Sequence, residues 1–179
     1  MAQNYEKFSS PGKGNGLRAT KDLSLGLLLG SEMPYVYTLC REKSKVNACD
    51  HCLRRQDKLL RCSQCKFARY CDSRCQRDAW KDHKRECICL KDVSPNVPTA
   101  LVRLVGKIIF NLLQQPVCPS EDLYSIYDLE SHIKELSQDI KEGLGHLATT
   151  LQLYLKKEIQ DVSQLPPGFN ILEYFGKTA

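Results

Sequence analysis

Apolar residues in the second half of the chain follow a helical period. In "ALVRLVGKIIFNLLQQ", residues 100–115, they occupy most of a helical circumference, which predicts a well-buried helix. Further on, isoleucines and leucines recur at spacings of three and four, the period of one or two amphipathic helices that end before "QLPPG". This stripe comprises Ile133, Leu136, Ile140, Leu144, Leu147, Leu151 and Leu155. We interpret it as a helical core layer, and the stripe alone implies no ligand.

Two further segments complete the helical half. "SEDLYSIYDLESHIKEL" begins with Ser120, a good N-cap followed by acidic residues, and this predicts a helix start. "FNILEYFGKTA" is a last short apolar element. A linker with two prolines, residues 92–100, precedes the helical half.

The first 45 residues have the pattern of short strands. "GLRA", "LGLLLG" and "PYVYTLC" are β-type runs separated by turn residues. Gly12, Gly14 and Gly16 stand at every second position; such a run alone is more often a hairpin turn, and no GK[ST] follows that would make it a P-loop. The whole pattern predicts an α+β fold with three regions, residues 1–45, 46–91 and 92–179.

Composition narrows the class of protein. The apolar fraction of 42% and charged fraction of 26% are those of an ordinary globular protein. Apolar stretches such as "LLL" at 27–29 are far shorter than the roughly 20 residues of a membrane-spanning helix, so we expect no membrane contact. The start lacks the apolar region of a secretory signal, which makes the cytosol or the nucleus the default compartment.

Cysteine spacing carries the strongest chemical signal. Of ten cysteines, eight lie between Cys49 and Cys89, and the first seven of these, with one histidine, read C-x2-C-x9-C-x2-C-x5-C-x3-C-x7-H-x3-C. Two C-x2-C turns and two i, i+4 pairs supply eight ligands, enough for two tetrahedral zinc sites. The candidate ligands are Cys49, Cys52, Cys62, Cys65, Cys71, Cys75, His83 and Cys87. Four protein ligands close each site to water, so both ions are predicted to be structural, and spacing alone leaves sequential and interleaved pairing open.

Two residues near these ligands are not expected to bind metal: His51 is predicted to be a solvent-facing turn residue and Cys89 a free thiol. Seven thiolates and two zinc ions lower the formal net charge of +5 by three, to about +2, which is a weak basis for nucleic-acid binding. "LRRQDKLLR" and "HKRE" could form a basic patch for weak DNA contact or for an acidic partner, although such runs more commonly form a solvated charged face.

The cluster resembles a MYND zinc finger, whose "YC-x3-CQ-x3-W-x2-HK-x2-C" ending is present from Tyr70 to Cys87. The resemblance implies interleaved sites, with Cys49, Cys52, Cys71 and Cys75 on one zinc and Cys62, Cys65, His83 and Cys87 on the other. MYND fingers are protein-interaction modules, and several bind proline-rich peptides. By resemblance Gln76 and Trp80 are candidate peptide contacts; packing of Trp80 on the zinc core is an equal alternative.

Taken with the finger, "GKGNGLRA", "LYSIYDLESHI" and "EIQDVSQLPPGF" resemble, in this order, the SET-and-MYND (SMYD) protein-lysine methyltransferases, most of all their third member. The likeness covers nearly the whole chain and implies the N-terminal part of a split SET domain, a MYND finger and a helical insert. It also implies S-adenosylmethionine contacts at Lys13, Gly14, Asn15, Tyr124 and His132. Lys13 replaces an arginine and His132 an asparagine of that family, so a planar fork and an amide are lost.

The family's Asn-His-Ser-Cys-x-Pro-Asn motif, its catalytic tyrosine strand and its post-SET zinc site do not occur in the chain. We therefore predict no catalytic residues and no methyl transfer by these 179 residues alone. One hypothesis is that the chain is the N-terminal part of a protein-lysine (histone) methyltransferase that acts on chromatin, with residence in nucleus and cytoplasm. The alternative is a stand-alone zinc-dependent adaptor that binds protein or DNA without enzymatic activity.

Overall fold

The computed structural model describes residues 4–31, 33–41, 47–114 and 124–178. Within these ranges four α-helices and four short strands confirm the predicted α+β class. The strands are β1 (Tyr5–Ser10), β2 (Gly14–Ala19), β3 (Leu60–Arg61) and β4 (Arg69–Tyr70), and the helices are α1 (Ser73–Val93), α2 (Ala100–Gln114), α3 (Gln138–Leu155) and α4 (Ile171–Thr178). The chain divides into a first unit, residues 1–34 and 118–130, and a second unit, residues 35–117 and 131–179.

In the first unit, β1 and β2 form an antiparallel hairpin along their whole length. The backbone N–H of Lys13 donates to the carbonyl of Ser10 at 2.9 Å, and Gly12 between them has a φ of 70°. Pro11 followed by a glycine of positive φ is the arrangement of a type II turn. A side chain at Gly16 would lie 2.9 Å from the ring of Phe8, so this glycine lets the ring cover the strand.

Two of the predicted strands do not form in the described residues. "GLRA" lies in β2, but "LGLLLG" and "PYVYTLC" have no strand structure, so that part of the prediction was wrong. An apolar run becomes a strand only where another strand pairs with its N–H and C=O groups, and no described strand pairs with these runs. Leu25, Leu27, Leu28 and Leu29 are consequently exposed, Leu28 by 76%.

The second unit is built around α2, and the helix predicted from its apolar circumference is confirmed. Val102, Val105 and Ile109 are fully buried. At Gly106 an added side chain would lie 3.3 Å from the Tyr154 ring of α3, so the absence of a side chain lets the two helices approach closely. Within the described residues no helix is both long enough and apolar enough to cross a membrane.

The leucine stripe is divided between two elements. Ile133 belongs to a single 3-10 turn, Ile133–Glu135, and α3 begins only at Gln138, after Ser137 accepts a capping hydrogen bond from the Ile140 N–H at 3.4 Å. The C-terminal part of the stripe forms the buried face of α3, namely Leu144, Leu151 and Leu155, with Tyr154. Ile140 in the first turn is half exposed instead.

Ser120, near which a helix was predicted to start, lies outside the described residues. In the described continuation, residues 124–132, no helix forms, and the chain makes a turn and a bend at 126–129. The backbone N–H and the hydroxyl of Ser125 both donate to Asp128 Oδ2, at 2.7 and 2.9 Å. Short polar side chains that bond to nearby backbone compete with helix formation, which explains the wrong prediction.

The last apolar element forms α4. The Asn170 side chain accepts a hydrogen bond from the Leu172 N–H at 3.0 Å and caps the helix. Tyr174 and Phe175 are buried, and Gly176 lies against the backbone of Ser131. A side chain at Gly176 would collide with the Ser131 carbonyl oxygen and with Ile133.

We expect Gly176→Ala to lower the free energy of unfolding by about 1–3 kcal/mol, because the added methyl group forces α4 away from fixed backbone. Gly143→Ala in α3 is the matched control, since a side chain there meets no atom within 4 Å. That control should raise stability by roughly 0.5–1 kcal/mol through helix propensity. Urea unfolding of the zinc-loaded chain measures both, and equal effects of the two variants would contradict the contact.

Candidate functional site

Two groups of four side chains bring their ligand atoms within 4.8 Å of one another. The first centre consists of Cys49, Cys52, Cys71 and Cys75, and the second centre of Cys62, Cys65, His83 and Cys87. All eight sequence-predicted ligands are therefore brought together, and the pairs alternate along the chain. This is the interleaved arrangement that the MYND resemblance implied, whereas spacing had left the sequential one open.

The two C-x2-C turns share one backbone device. The residue after the second cysteine has a left-handed φ, 60° at Leu53 and 58° at Lys66. Its N–H returns to the carbonyl of the first cysteine, Leu53 to Cys49 at 3.1 Å and Lys66 to Cys62 at 3.0 Å. Each turn thus points two thiols to one side.

Helix α1 supplies three of the four remaining ligands, and the fourth, Cys71, lies just before its N-cap residue. Asp72 caps the helix by accepting a hydrogen bond from the Cys75 N–H at 2.8 Å, which fixes the first centre at the start of α1. His83 and Cys87 lie one turn apart on the same helix and complete the second centre. One helix therefore contributes ligands to both centres.

The spacing within each centre fits tetrahedral zinc. The sulfurs of Cys52 and Cys71 are 3.5 Å apart, those of Cys62 and Cys87 are 3.7 Å apart, and Cys65 Sγ lies 3.6 Å from His83 Nε2. Zn–S bonds of about 2.3 Å at tetrahedral angles would place sulfurs about 3.8 Å apart. With four protein ligands no position remains for substrate or water, so these ions would stabilise structure.

The electrostatics of the first centre also favour a bound cation. The backbone N–H of Arg54 lowers the pKa of Cys52 to about 7. Desolvation and the neighbouring thiols raise the pKa of Cys71 to about 12 and that of Cys75 to about 11. Adjacent thiolates repel each other, and a divalent ion removes this repulsion while it displaces the remaining protons.

The second centre has the same character. Burial opposes ionisation of Cys65, yet its contact with His83 lowers the thiol pKa to about 7. Burial likewise disfavours the His83 cation, but Cys65 and Glu86 raise its pKa to about 10. Such a field attracts a positive charge, and zinc can satisfy it in place of a proton.

Sequence reasoning missed the polar residues behind the two centres. Behind the first, Asp50 accepts hydrogen bonds from the Arg69 N–H at 2.7 Å and from Arg41 at 2.6 Å. The Tyr37 hydroxyl lies 3.0 and 2.8 Å from the carbonyls of Asp50 and His51 and can donate to either. In the sequence, the only indication of these contacts was the acidic residue Asp50 inside the C-x2-C turn.

Behind the second centre lies Glu86, which is 2% exposed. Burial would raise its pKa, but the guanidinium of Arg103 and contacts with His83 and Lys107 hold it well below its usual range. Arg103 is itself 3% exposed within the apolar helix α2. A lone arginine on that otherwise apolar circumference was the signal that could have identified the pair.

The two candidate peptide contacts lie on α1 one turn apart. Gln76 is partly buried, and Trp80 is 44% exposed. The edge of the indole meets the His83 ring, with centroids 6.2 Å apart at 69°. Trp80 thus combines packing on the second centre with an exposed face.

The other two residues in this region are not ligands. His51 lies outside both centres, and its backbone N–H is 3.5 Å from Cys49 Sγ. Cys89 is completely buried, and desolvation together with Glu158 raises its thiol pKa to about 12.

The basic surface of the finger is partly neutralised. Arg85 donates to Glu158 at 2.8 Å and its guanidinium covers the Phe110 ring at 4.6 Å. Arg69 donates to Asn47 at 3.2 Å. Arg69 is thus engaged within the finger and Arg85 with the helical layer, so the patch suggested by the sequence is smaller than the charge count implies.

The candidate cofactor residues of the first unit surround the hairpin. Lys13 and Asn15 are exposed on either side of Gly14, whose φ is 74° and whose missing side chain would lie 3.7 Å from a Glu130 carboxylate oxygen. Asn15 Nδ2 donates to the Asp128 carbonyl at 3.2 Å. A cation (Lys13), an amide (Asn15) and a carboxylate (Glu130) therefore lie around Gly14.

Tyr124 and His132 have different surroundings. The Tyr124 hydroxyl lies 3.1 and 2.8 Å from the carbonyls of Phe8 and Gly16, and this contact ties residues 124–130 to the hairpin. His132 belongs to the second unit, where it is exposed, has a left-handed φ of 50° and faces Glu135 at 3.4 Å.

We expect the purified chain to bind two zinc ions and the His83→Ala variant to bind one, since the first centre keeps its four ligands. His51→Ala is the matched control and should keep both ions. Elemental analysis after gel filtration measures the stoichiometry. Loss of zinc from the control, or full occupancy of His83→Ala, would contradict the assignment.

Comparison with known proteins agrees with this geometry. The family model described as MYND finger matches residues 49–87, from the first ligand to the last. Histone-lysine N-methyltransferase SMYD3 of Mus musculus is 49% identical over 176 residues, 98% of this chain, and SMYD3 of Homo sapiens is 50% identical over 172 residues, 96% of this chain. Histone-lysine N-methyltransferase Smyd1 of Mus musculus is 36% identical over 163 residues, 90% of this chain.

The extent of these matches is informative. The chain spans about 40% of the length of the two SMYD3 relatives and 33% of Smyd1. The match falls on their N-terminal part. The chain therefore contains a MYND finger, and over nearly all of its residues it is similar to the N-terminal part of SET-and-MYND proteins.

Proposed function

We propose that this chain is the N-terminal part of an S-adenosylmethionine-dependent protein-lysine N-methyltransferase of the SET-and-MYND type. The observation that carries the proposal is the 49–50% identity to histone-lysine methyltransferases over 96–98% of the chain. The methyl transfer belongs to a longer protein, and histones or other lysine-containing proteins are its substrates. A stand-alone adaptor is not the function that these relatives support.

The hairpin loop is suited to the amino-acid moiety of the cofactor. S-adenosylmethionine supplies an activated methyl group, and it carries a carboxylate and an ammonium group. Lys13 offers the charge opposite to the carboxylate, and Glu130 beside Gly14 offers the charge opposite to the ammonium. Asn15 and Tyr124 complete the proposed set in the first unit, where Tyr124 braces the hairpin through its hydroxyl. His132 is added by the family resemblance alone.

The exposed leucines support a larger assembly. A cleft of about 260 Å³ in the first unit is lined mainly by apolar side chains, among them Tyr5, Leu17, Leu23 and Leu29. Contiguous exposed apolar surface marks a place where further protein packs. In the proposed enzyme the remaining part of the SET domain covers this surface, and the leucine run acquires strand partners there.

A chimera tests the proposal. Joining these 179 residues to the remaining part of the mouse SMYD3 relative should give a protein that transfers radiolabelled methyl from S-adenosylmethionine to histones. The 179-residue chain alone should give no signal above background. In the chimera, Lys13→Ala should raise the KM for S-adenosylmethionine about 10- to 100-fold, because a hydrogen bond to a charged group is lost.

Lys21→Ala is the matched control, since Lys21 is also an exposed lysine of the first unit, and its KM should be unchanged. His132→Asn should lower the KM, because an amide can donate and accept where the imidazole does only one of these at each nitrogen. A chimera that folds with all of its zinc sites filled but transfers no methyl group would refute the function. An active chimera with an unchanged KM in Lys13→Ala would refute the cofactor loop alone.

We further propose that the finger binds proline-rich peptides through Gln76 and the exposed face of Trp80. Proline-rich segments bind to surfaces lined by aromatic side chains, and the Gln76 amide one turn away supplies hydrogen-bonding groups. Residence in both nucleus and cytoplasm is the matching expectation for a histone-directed enzyme.

The single tryptophan makes this binding measurable, since the fluorescence of Trp80 reports its surroundings. We expect a proline-rich peptide to shift this emission and Gln76→Ala to weaken binding about 2- to 10-fold through loss of one hydrogen bond. Gln56→Ala, which changes an exposed glutamine elsewhere in the finger, is the control. Unchanged emission at saturating peptide, or equal effects of the two variants, would refute this surface.

A further inference from the structure

A buried carboxylate connects the finger to the helical layer. Glu86 lies on α1, one residue before the ligand Cys87. Its Oε1 accepts two hydrogen bonds from Arg103 of α2, at 3.0 Å from Nε and 2.7 Å from Nη2. Its Oε2 lies 3.5 Å from His83 Nδ1 and 3.3 Å from Lys107 Nζ. The carboxylate thus faces a metal ligand on one side and two cations of α2 on the other.

The two nitrogens of His83 have separate partners. Nε2 lies 3.6 Å from Cys65 Sγ, inside the second centre, and Nδ1 faces Glu86. A ligating histidine commonly donates its other N–H to a carboxylate, which fixes the ring orientation and the tautomer. The geometry therefore places the metal at Nε2 and the proton at Nδ1.

Arg103 contacts the second centre from two directions. Besides Glu86, its guanidinium covers the ring of Phe67 at 4.5 Å. Phe67 stands two residues after the ligand Cys65, so Arg103 touches residues adjacent to both halves of the ligand set. A buried carboxylate without this partner would be strongly disfavoured, and hence Arg103 determines where Glu86 can lie.

We propose that Glu86 and Arg103 are positioning residues of the second metal centre: Glu86 orients His83 and Arg103 holds Glu86. This inference rests on zinc binding at that centre. It makes α2, which lies outside the MYND segment, a part of that centre. Retention of the second zinc then depends on the packing of the helical layer.

The first centre differs in its polar surroundings. Among the described residues the contacts behind it come from Tyr37, Arg41, Asp50 and Arg69, none of which lies on α2. Lys107 does reach from α2 to the Tyr37 carbonyl at 3.1 Å. Glu86 and Arg103 are therefore the discriminating positions, and Lys107 is left unchanged in the test.

The test measures zinc transfer from the whole chain to a chromophoric chelator. Glu86→Gln and Arg103→Met should each lower the affinity for one of the two zinc ions about 10- to 100-fold and leave the affinity for the other unchanged. Glu158→Gln is the matched control, because it breaks the 2.8 Å ion pair between Arg85 of α1 and the end of α3 without touching a ligand. Both ions should stay as tightly bound in that variant as in the original chain.

A spectroscopic measurement separates positioning from general stability. In the cadmium-substituted chain, ¹¹³Cd NMR should show one resonance for each centre, and Glu86→Gln should move only that of the centre containing histidine. Histidine ¹⁵N spectra of the unsubstituted zinc form should show His83 protonated at Nδ1, a result that needs no variant. Arg103→Lys keeps the positive charge and should bind the second zinc ion more tightly than Arg103→Met does.

Several results would overturn the proposal. One is an equal loss of affinity for both zinc ions in Glu86→Gln or Arg103→Met, and another is the same loss in the control Glu158→Gln. The others are an unchanged rate of zinc release in Glu86→Gln and coordination of the metal through Nδ1 of His83. If Arg103→Met does not fold, Arg103→Lys and the histidine spectrum decide the matter.

Discussion

Four sulfur ligands cannot share a space a few ångströms wide as thiolates unless a cation lies among them. In the first centre this repulsion is reflected in the pKa values: that of Cys52 is lowered to about 7, whereas those of Cys71 and Cys75 are raised to about 12 and 11. The segment between these ligands has only two-residue strands and little apolar core of its own. Coordination is thus the interaction from which the fold of the finger follows, and α1 transmits it because it carries ligands of both centres.

The parts of the structure that could be predicted from sequence are those fixed by local chemistry. Eight ligand positions follow from spacing, because a tight turn or one helical turn brings each pair together without help from distant residues. The helix α2 follows from its apolar circumference, and a hairpin turn from the alternating glycines Gly12, Gly14 and Gly16. The apolar end of the chain was located correctly as well, in α4.

Where the predictions were wrong or incomplete, the outcome depended on partners distant in sequence. The leucine run near Leu28 has strand character, but strand character needs a neighbouring strand. Residues 124–132 were predicted to be helical, but the local hydrogen bond from the Ser125 N–H to the Asp128 side chain favours a turn instead. Arg103 and Glu86 are 17 positions apart, so an arginine within the apolar run of α2 indicates a buried partner but not which residue that partner is.

The complete burial of Cys89 has a consequence for how the finger holds its metals. Cys89 follows the ligand Cys87 by two positions on α1, and side chains so spaced on a helix point in different directions. A surplus thiol this close to a ligand could otherwise capture zinc in a shifted register. Because Cys89 is completely buried in the folded chain, its thiol is inaccessible there, and the eight ligands hold their metal sites without a competing donor.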